Sequence, residues 1–211
     1  MGNLFIADSN NYRIRKVTPD GIISTVAGIG GGSAPQGDEG PAMSAQLSQP
    51  KDIGVDSGGR IYFLDGRYGG RIRVIDSNGV IHSFAGAYSS GTITSGPPPL
   101  LPMVTGDFQG IAHMAIGSSA KTIYFTGGFN FGATLWKANL EGGNASRLIA
   151  GSEGLGNLTV DSEGSLFYVS YSSIRKLFSS GIDRLIAGGE SSSPADGVPA
   201  IFVPLDRKSV V

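Results

Sequence analysis

The chain has 211 residues, 34 of them glycine and none cysteine, and a formal net charge of −1. The missing cysteine excludes disulfide staples, thiolate nucleophiles and Cys-ligated zinc or iron–sulfur sites, and the near-neutral balance gives no bulk field for nucleic acid or an anionic membrane. Glycine at about twice its usual share, with charged residues at only 16%, is the profile of short strands joined by tight turns.

The first predicted unit covers about 1–28. Asn3-Leu4-Phe5-Ile6-Ala7-Asp8 and Tyr12-Arg13-Ile14-Arg15-Lys16-Val17 are of strand length, separated by Ser9-Asn10-Asn11. After the turn Thr18-Pro19-Asp20-Gly21 a third strand ends in Ala27-Gly28. Asn-Asn and Pro-Asp-Gly are hairpin punctuation. Met1–Asp8 has no basic region followed by an apolar core, so it is not read as a signal peptide but as the middle of a repeat. The long Gly-, Pro- and Ser-rich connection that follows, starting at 29–36, is of a kind that is commonly a functional loop or disordered.

The second unit, 52–86, copies the first and adds a strand before it. Asp52-Ile53-Gly54-Val55-Asp56 precedes Arg60-Ile61-Tyr62-Phe63-Leu64-Asp65, Arg71-Ile72-Arg73-Val74-Ile75 and Val80-Ile81-His82-Ser83-Phe84-Ala85-Gly86. The third and fourth units, 110–151 and 156–188, repeat the order and again end in Ala-Gly, at Ala150-Gly151 and Ala187-Gly188. The tail at 207–211 falls where another first strand belongs. Repetition at this scale means a solenoid, propeller or array. No apolar stretch approaches the ~20 residues of a membrane span.

The run from Gly2 to Val17 resembles the Gly-Asn-hydrophobic-Ala-Asp, Asn, Arg-Ile-Arg-Lys-Val pattern of NHL repeats. Gly37-Asp38-Glu39-Gly40-Pro41-Ala42, with Ala45 to Pro50, is similar to the connector of bacterial-style long-repeat members, and Asp196-Gly197-Val198-Pro199-Ala200, with Pro204-Leu205, repeats it. The resemblance is strong in units one and two and degraded in three and four. It implies an all-β fold, a β-propeller of four-stranded antiparallel blades. About four blade equivalents are expected, either closed by the C-terminal strand or forming an open arc of a larger propeller.

Asp8 with Arg13 and Asp65 with Arg71 recur at one place and are expected to tie the second strand to the third by a charge-assisted hydrogen bond. Arg13, Arg15, Lys16, Arg71, Arg73, Lys137, Arg175 and Lys176 form a basic series. It would suit RNA, but carboxylates are equally numerous and the balance argues against nucleic acid. His82 and His113 are the only histidines, too few for the lyase-type relatives, and are expected to be ordinary packed or surface residues. Asp52, Asp56 and Asp161 could face a channel, as in lactonase-like relatives, yet Asp56 and Asp161 precede Gly-containing turns and read as turn formers. No catalytic residue, metal ligand set or cofactor is assigned.

Tyr12, Tyr68, Phe129, Phe131 and Tyr171 lie in the loops between second and third strands, on one rim. Aromatics gathered there suit an interface. The reading is therefore a non-catalytic interaction module for a protein or carbohydrate partner, with a lean to an extracellular or periplasmic setting and the oligomeric state open. A lactonase- or lyase-like propeller enzyme with a channel metal is the alternative, and RNA binding the next. Asn144-Ala145-Ser146 and Asn157-Leu158-Thr159 match the glycosylation pattern, at a frequency chance alone supplies.

Overall fold

Alternation of side chains across each strand decides the architecture, because a strand lying between two neighbouring blades has two faces to bury. The structure, a computed structural model, describes residues 2–31, 36–66, 70–86, 104–105, 110–117, 121–127, 133–152 and 154–188. Blade 1 is β1 (Leu4–Asp8), β2 (Arg13–Val17) and β3 (Ile23–Ala27), three antiparallel strands. Blade 2 adds a short outer strand, β4 (Gly40–Pro41), to β5 (Pro50–Val55), β6 (Ile61–Asp65), β7 (Arg71–Ile75) and β8 (Val80–Ala85). A two-residue strand, β9 (Val104–Thr105), precedes blade 3 and pairs in parallel with β13 (Gly143–Asn144). Blade 3 is β10 (Ile111–Ile116), β11 (Thr122–Gly127), β12 (Ala133–Asn139) and β14 (Ser146–Ser152). Blade 4 is β15 (Leu155–Val160), β16 (Leu166–Ser170), β17 (Ser173–Leu177) and β18 (Asp183–Ala187). The fold is a β-propeller of four antiparallel blades.

The cores lie between blades rather than within them. Ile61 and Phe63 of β6 pack with Ile14 and Ala27 of blade 1, whereas Tyr62 and Leu64 of the same strand pack with Ile111, Ile123 and Phe125 of blade 3. Tyr124 and Leu135 of blade 3 meet Leu166 and Tyr168 of blade 4. The inner strand β10 abuts both β5 and β15, and β5 abuts β1. That sequence of neighbours is what fanning four sheets about an axis requires.

Turns between strands are set by aspartate. Asp56 Oδ1 accepts hydrogen bonds from the amides of Gly58 and Arg60, Asp76 Oδ1 from Asn78 and Val80, and Asp161 Oδ1 from Glu163 and Ser165. Each carboxylate mimics a backbone turn acceptor, which places Asp56 and Asp161 in the scaffold.

The connector after blade 1 differs from the loose loop its composition suggests. From Gln36 onward it runs along the outer edge of blade 2, pairs as β4 with β8, and returns between the blades. Ala42, Ala45 and Leu47 are fully buried there with Ile75 and Ile81. Its order comes from three small or branched apolar residues spaced to enter one core, a pattern masked by the glycines around them. The tail at 207–211, and with it any closing strand, lies outside the described residues.

Candidate functional site

The inner strands carry the most informative polar residues. Each breaks its ladder register near its start: β5 between Lys51 and Ile53, β10 between Ile111 and His113, β15 between Leu155 and Leu158. A β-bulge re-aims side chains out of the alternating pattern. The third residue of each strand, at or beside its bulge, is polar and different in every copy: Asp52, His113 and Asn157. Asp52 takes φ +43°, a left-handed conformation that aspartate tolerates better than most residues.

These positions converge. Asp52 Oδ2 lies 3.4 Å from His113 Nδ1 and accepts a hydrogen bond from the Met114 amide at 3.1 Å. Asp52, His113 and Asn157 border a cleft of 580 Å³ that also meets Ile53, Leu158 and Tyr168. Burial first, then the hydrogen bond to Asp183, pushes the Tyr168 phenol up to about 12, so it stays a neutral donor. An anionic and an imidazole group beside an amide, over apolar walls, can hold a small polar or cationic group. Among the described residues no cluster of three His, Asp or Glu is placed to hold a metal. Asn157 had registered in the sequence only as a glycosylation match. Laying the first strands over one another and asking where the residue type changes would have found all three.

Two of the five rim aromatics are described. Tyr12 closes the turn Ser9–Asn11 at φ +54°, and Tyr171 sits in the β16–β17 turn at φ +53°. Both amides are fixed, Tyr12 N–H to the Ser9 carbonyl and Tyr171 N–H to that of Gly154. Tyr171 is 52% exposed, Tyr12 half-buried. Ile29, on the same rim just past Gly28, is exposed as well. Tyr68, Phe129 and Phe131 lie outside the described residues.

Asp8 faces Arg13, and Asp65 faces Arg71, across their ladders. Each of these side chains makes further bonds. Asp8 Oδ1 accepts from Asn11 Nδ2, while Arg13 donates to the carbonyls of Asn11 and Ile29. Asp65 accepts from Arg73 Nη1 at 3.0 Å and from the Ser48 amide at 2.7 Å. Arg71 reaches Asp38 Oδ2 at 2.9 Å and the Ser83 hydroxyl. Arg73 completes the network, donating through Nε and Nη2 to Asp38 Oδ1 at 2.9 and 2.6 Å, and to the carbonyls of Gln36 and Gln46. The physical reason is burial: Arg73 and Asp65 are both fully enclosed, so they must satisfy each other. Asp38, absent from the sequence-based pairs, is the hub. His82, also enclosed, is flanked by Glu39 at 2.9 Å and Asp76 at 3.4 Å.

A family model described as the Teneurin NHL domain matches residues 30–100, the connector and blade 2. Human Teneurin-4 is 37% identical over 109 residues, covering 46% of this chain and 4% of that protein, so the chain corresponds to a small part of its curated relatives. Among solved structures, a chain of the nidogen/laminin complex aligns with TM-score 0.58 at 12% identity, over 91% of this chain and 63% of that one. A gluconolactonase from Xanthomonas campestris aligns with TM-score 0.57 at 14% identity, over 96% and 59%. At such identities the structural likeness speaks for the fold alone. The repeated strand motif, the four blades built from it and the Teneurin NHL match over residues 30–100 are consistent with an NHL-repeat β-propeller.

Proposed function

We propose that the chain is a non-catalytic interaction module whose blades hold one rim of loops for a protein partner. This reading is carried by Tyr12 and Tyr171, whose backbones take the left-handed region in the equivalent β1–β2 and β16–β17 loops, and by exposed Ile29. Rigid aromatic anchors contribute large contact area at low entropic cost, and a few of them dominate typical interfaces. The likeness to teneurin NHL domains supports an interaction module. The fate of the basic series supports it over RNA: Arg73 and Arg71 are bound to Asp38, Arg175 to Asp183 and Lys176 to Asp161.

Partner capture by immobilised protein from detergent-solubilised cell-surface proteins tests the reading. Tyr12→Ala with Tyr171→Ala is expected to cut capture at least about tenfold with an unchanged melting temperature. Equal capture by the double variant would overturn it.

A second reading rests on Asp52 and His113 in the channel cleft. It makes the propeller a hydrolase or lyase acting on a small polar substrate held by the carboxylate and the imidazole. Stoichiometric metal in the purified protein, lost in Asp52→Ala, would favour it.

A further inference from the structure

We propose that the cleft bordered by the inner strands of blades 2, 3 and 4 binds a primary amine by its ammonium group, with Asp52, His113 and Asn157 as the acceptors. Such a site is independent of the rim tyrosines and involves no turnover of the ligand.

The inner strands separate scaffold residues from the others. Asp56 and Asp161, which close the turns after β5 and β15, recur because the turn needs a carboxylate acceptor. Asp52, His113 and Asn157 share one strand position and one kind of ladder break, yet the residue type changes from blade to blade while staying polar. The repeat does not dictate that pattern. Asp52 also holds φ +43°, a sparsely populated conformation of the kind that clusters at ligand sites.

Hydrogen-bond accounting gives the site its sign. Asp52 Oδ2 accepts from the Met114 amide at 3.1 Å and faces His113 Nδ1 at 3.4 Å, while Oδ1 has no partner among the described residues. An imidazole nitrogen that faces a carboxylate carries the ring proton, so the neutral ring has its lone pair on Nε2. Asn157, exposed and bordering the cleft, adds an amide oxygen. Three blades thus supply three acceptors, and an ammonium group has three N–H donors and no acceptor.

Charge and walls select among ligands. Asp52 and His113 are 28% and 29% exposed, open to a ligand yet partly withdrawn from water. The Asp52 carboxylate repels an anion. A divalent cation wants several hard oxygen ligands, and among the described residues no three His, Asp or Glu gather to hold a metal. A sugar needs polar partners around its whole ring, whereas Ile53, Met114, Leu158 and Phe167 give the cleft apolar walls. One cationic head on an apolar body matches both the acceptors and the walls.

Hexylamine hydrochloride, titrated into the protein by calorimetry and followed by amide NMR, tests the site. It should bind and shift the Met114 amide signal, because that N–H shares Asp52 with the ligand. Hexanol lacks the charge, hexanoate reverses it, and hexyltrimethylammonium keeps it without N–H donors. Each should bind at least about tenfold more weakly, the worth of charge-assisted hydrogen bonds. Asp52→Asn keeps an acceptor for Met114 and a side chain that tolerates left-handed backbone; it should fold and lose at least about tenfold in hexylamine affinity. Asn157→Ala, at an exposed position, should weaken hexylamine severalfold. Hexanol or hexyltrimethylammonium binding as tightly as hexylamine would reveal an apolar cleft without an ammonium site and overturn the proposal. So would undiminished hexylamine affinity in Asp52→Asn, or a Met114 signal that does not move at millimolar amine.

Discussion

Arg73 is a guanidinium removed from water and held by two carboxylates and two carbonyls. The carboxylates are not equivalent. Burial by itself favours the protonated acid at both; at Asp65 it prevails and holds the carboxyl above the usual aspartate value. At Asp38, Arg73, Arg71 and the Ser83 hydroxyl outweigh burial and hold the carboxyl below it. A depressed folded value means that Asp38 contributes stability above the unfolded value near about 4 and loses it as pH falls through the folded one. Asp38→Asn should therefore flatten the acid limb of stability below about pH 4, measured by urea unfolding at a series of pH values. An acid limb as steep as that of the parent protein would contradict this assignment. In the sequence the Asp65–Arg71 register was readable because both residues recur with Asp8 and Arg13. That Arg73 takes Asp65 was not, because the choice depends on which guanidinium the connector encloses.

At the scale of the element, the Ala-Gly landmark closing the outer strand of a blade has a steric cause. Gly28, Gly86 and Gly188 take φ of +95°, +83° and +79°. A Cβ on Gly28 would collide with the Tyr12 carbonyl, and one on Gly188 with that of Ser172. The chain leaves the outer strand by passing tightly over the loop between second and third strands, which only glycine allows. Gly28→Ala should cost more than about 2 kcal/mol, combining a left-handed alanine with a backbone clash, read from denaturant unfolding. A loss under about 0.5 kcal/mol, the range of an ordinary surface change, would refute the steric account. The strands were legible from period and turn residues alone. The connector was not, since Ala42, Ala45 and Leu47 follow neither a strand nor a helix period and acquire meaning only against Ile61, Phe63, Ile75 and Ile81.

For the whole molecule, Arg60, Arg71, Arg73, Arg175 and Lys176 are each paired with a carboxylate, and the net charge is −1. A heparin column at about 0.15 M salt, where exposed charges are screened beyond about 8 Å, should let the protein pass. Retention falling steeply with added salt would instead mark a polyanion-binding face. Leu4, Ile6 and Ile23 of blade 1 and Ile186 of blade 4 are exposed, whereas apolar clusters fill the spaces between successive blades from 1 to 4. Repetition in the sequence by itself determined the strands, their order within a blade and the blade count, because these follow from local period, turn chemistry and recurrence along one chain. Only the tertiary structure decided that Asp52, His113 and Asn157 share a cleft, that Asp38 is the hub of a buried charge network, and that the connector belongs to the core. Those facts join residues from different blades, and a contact across an axis leaves no mark in the spacing of residues along the strand that carries it.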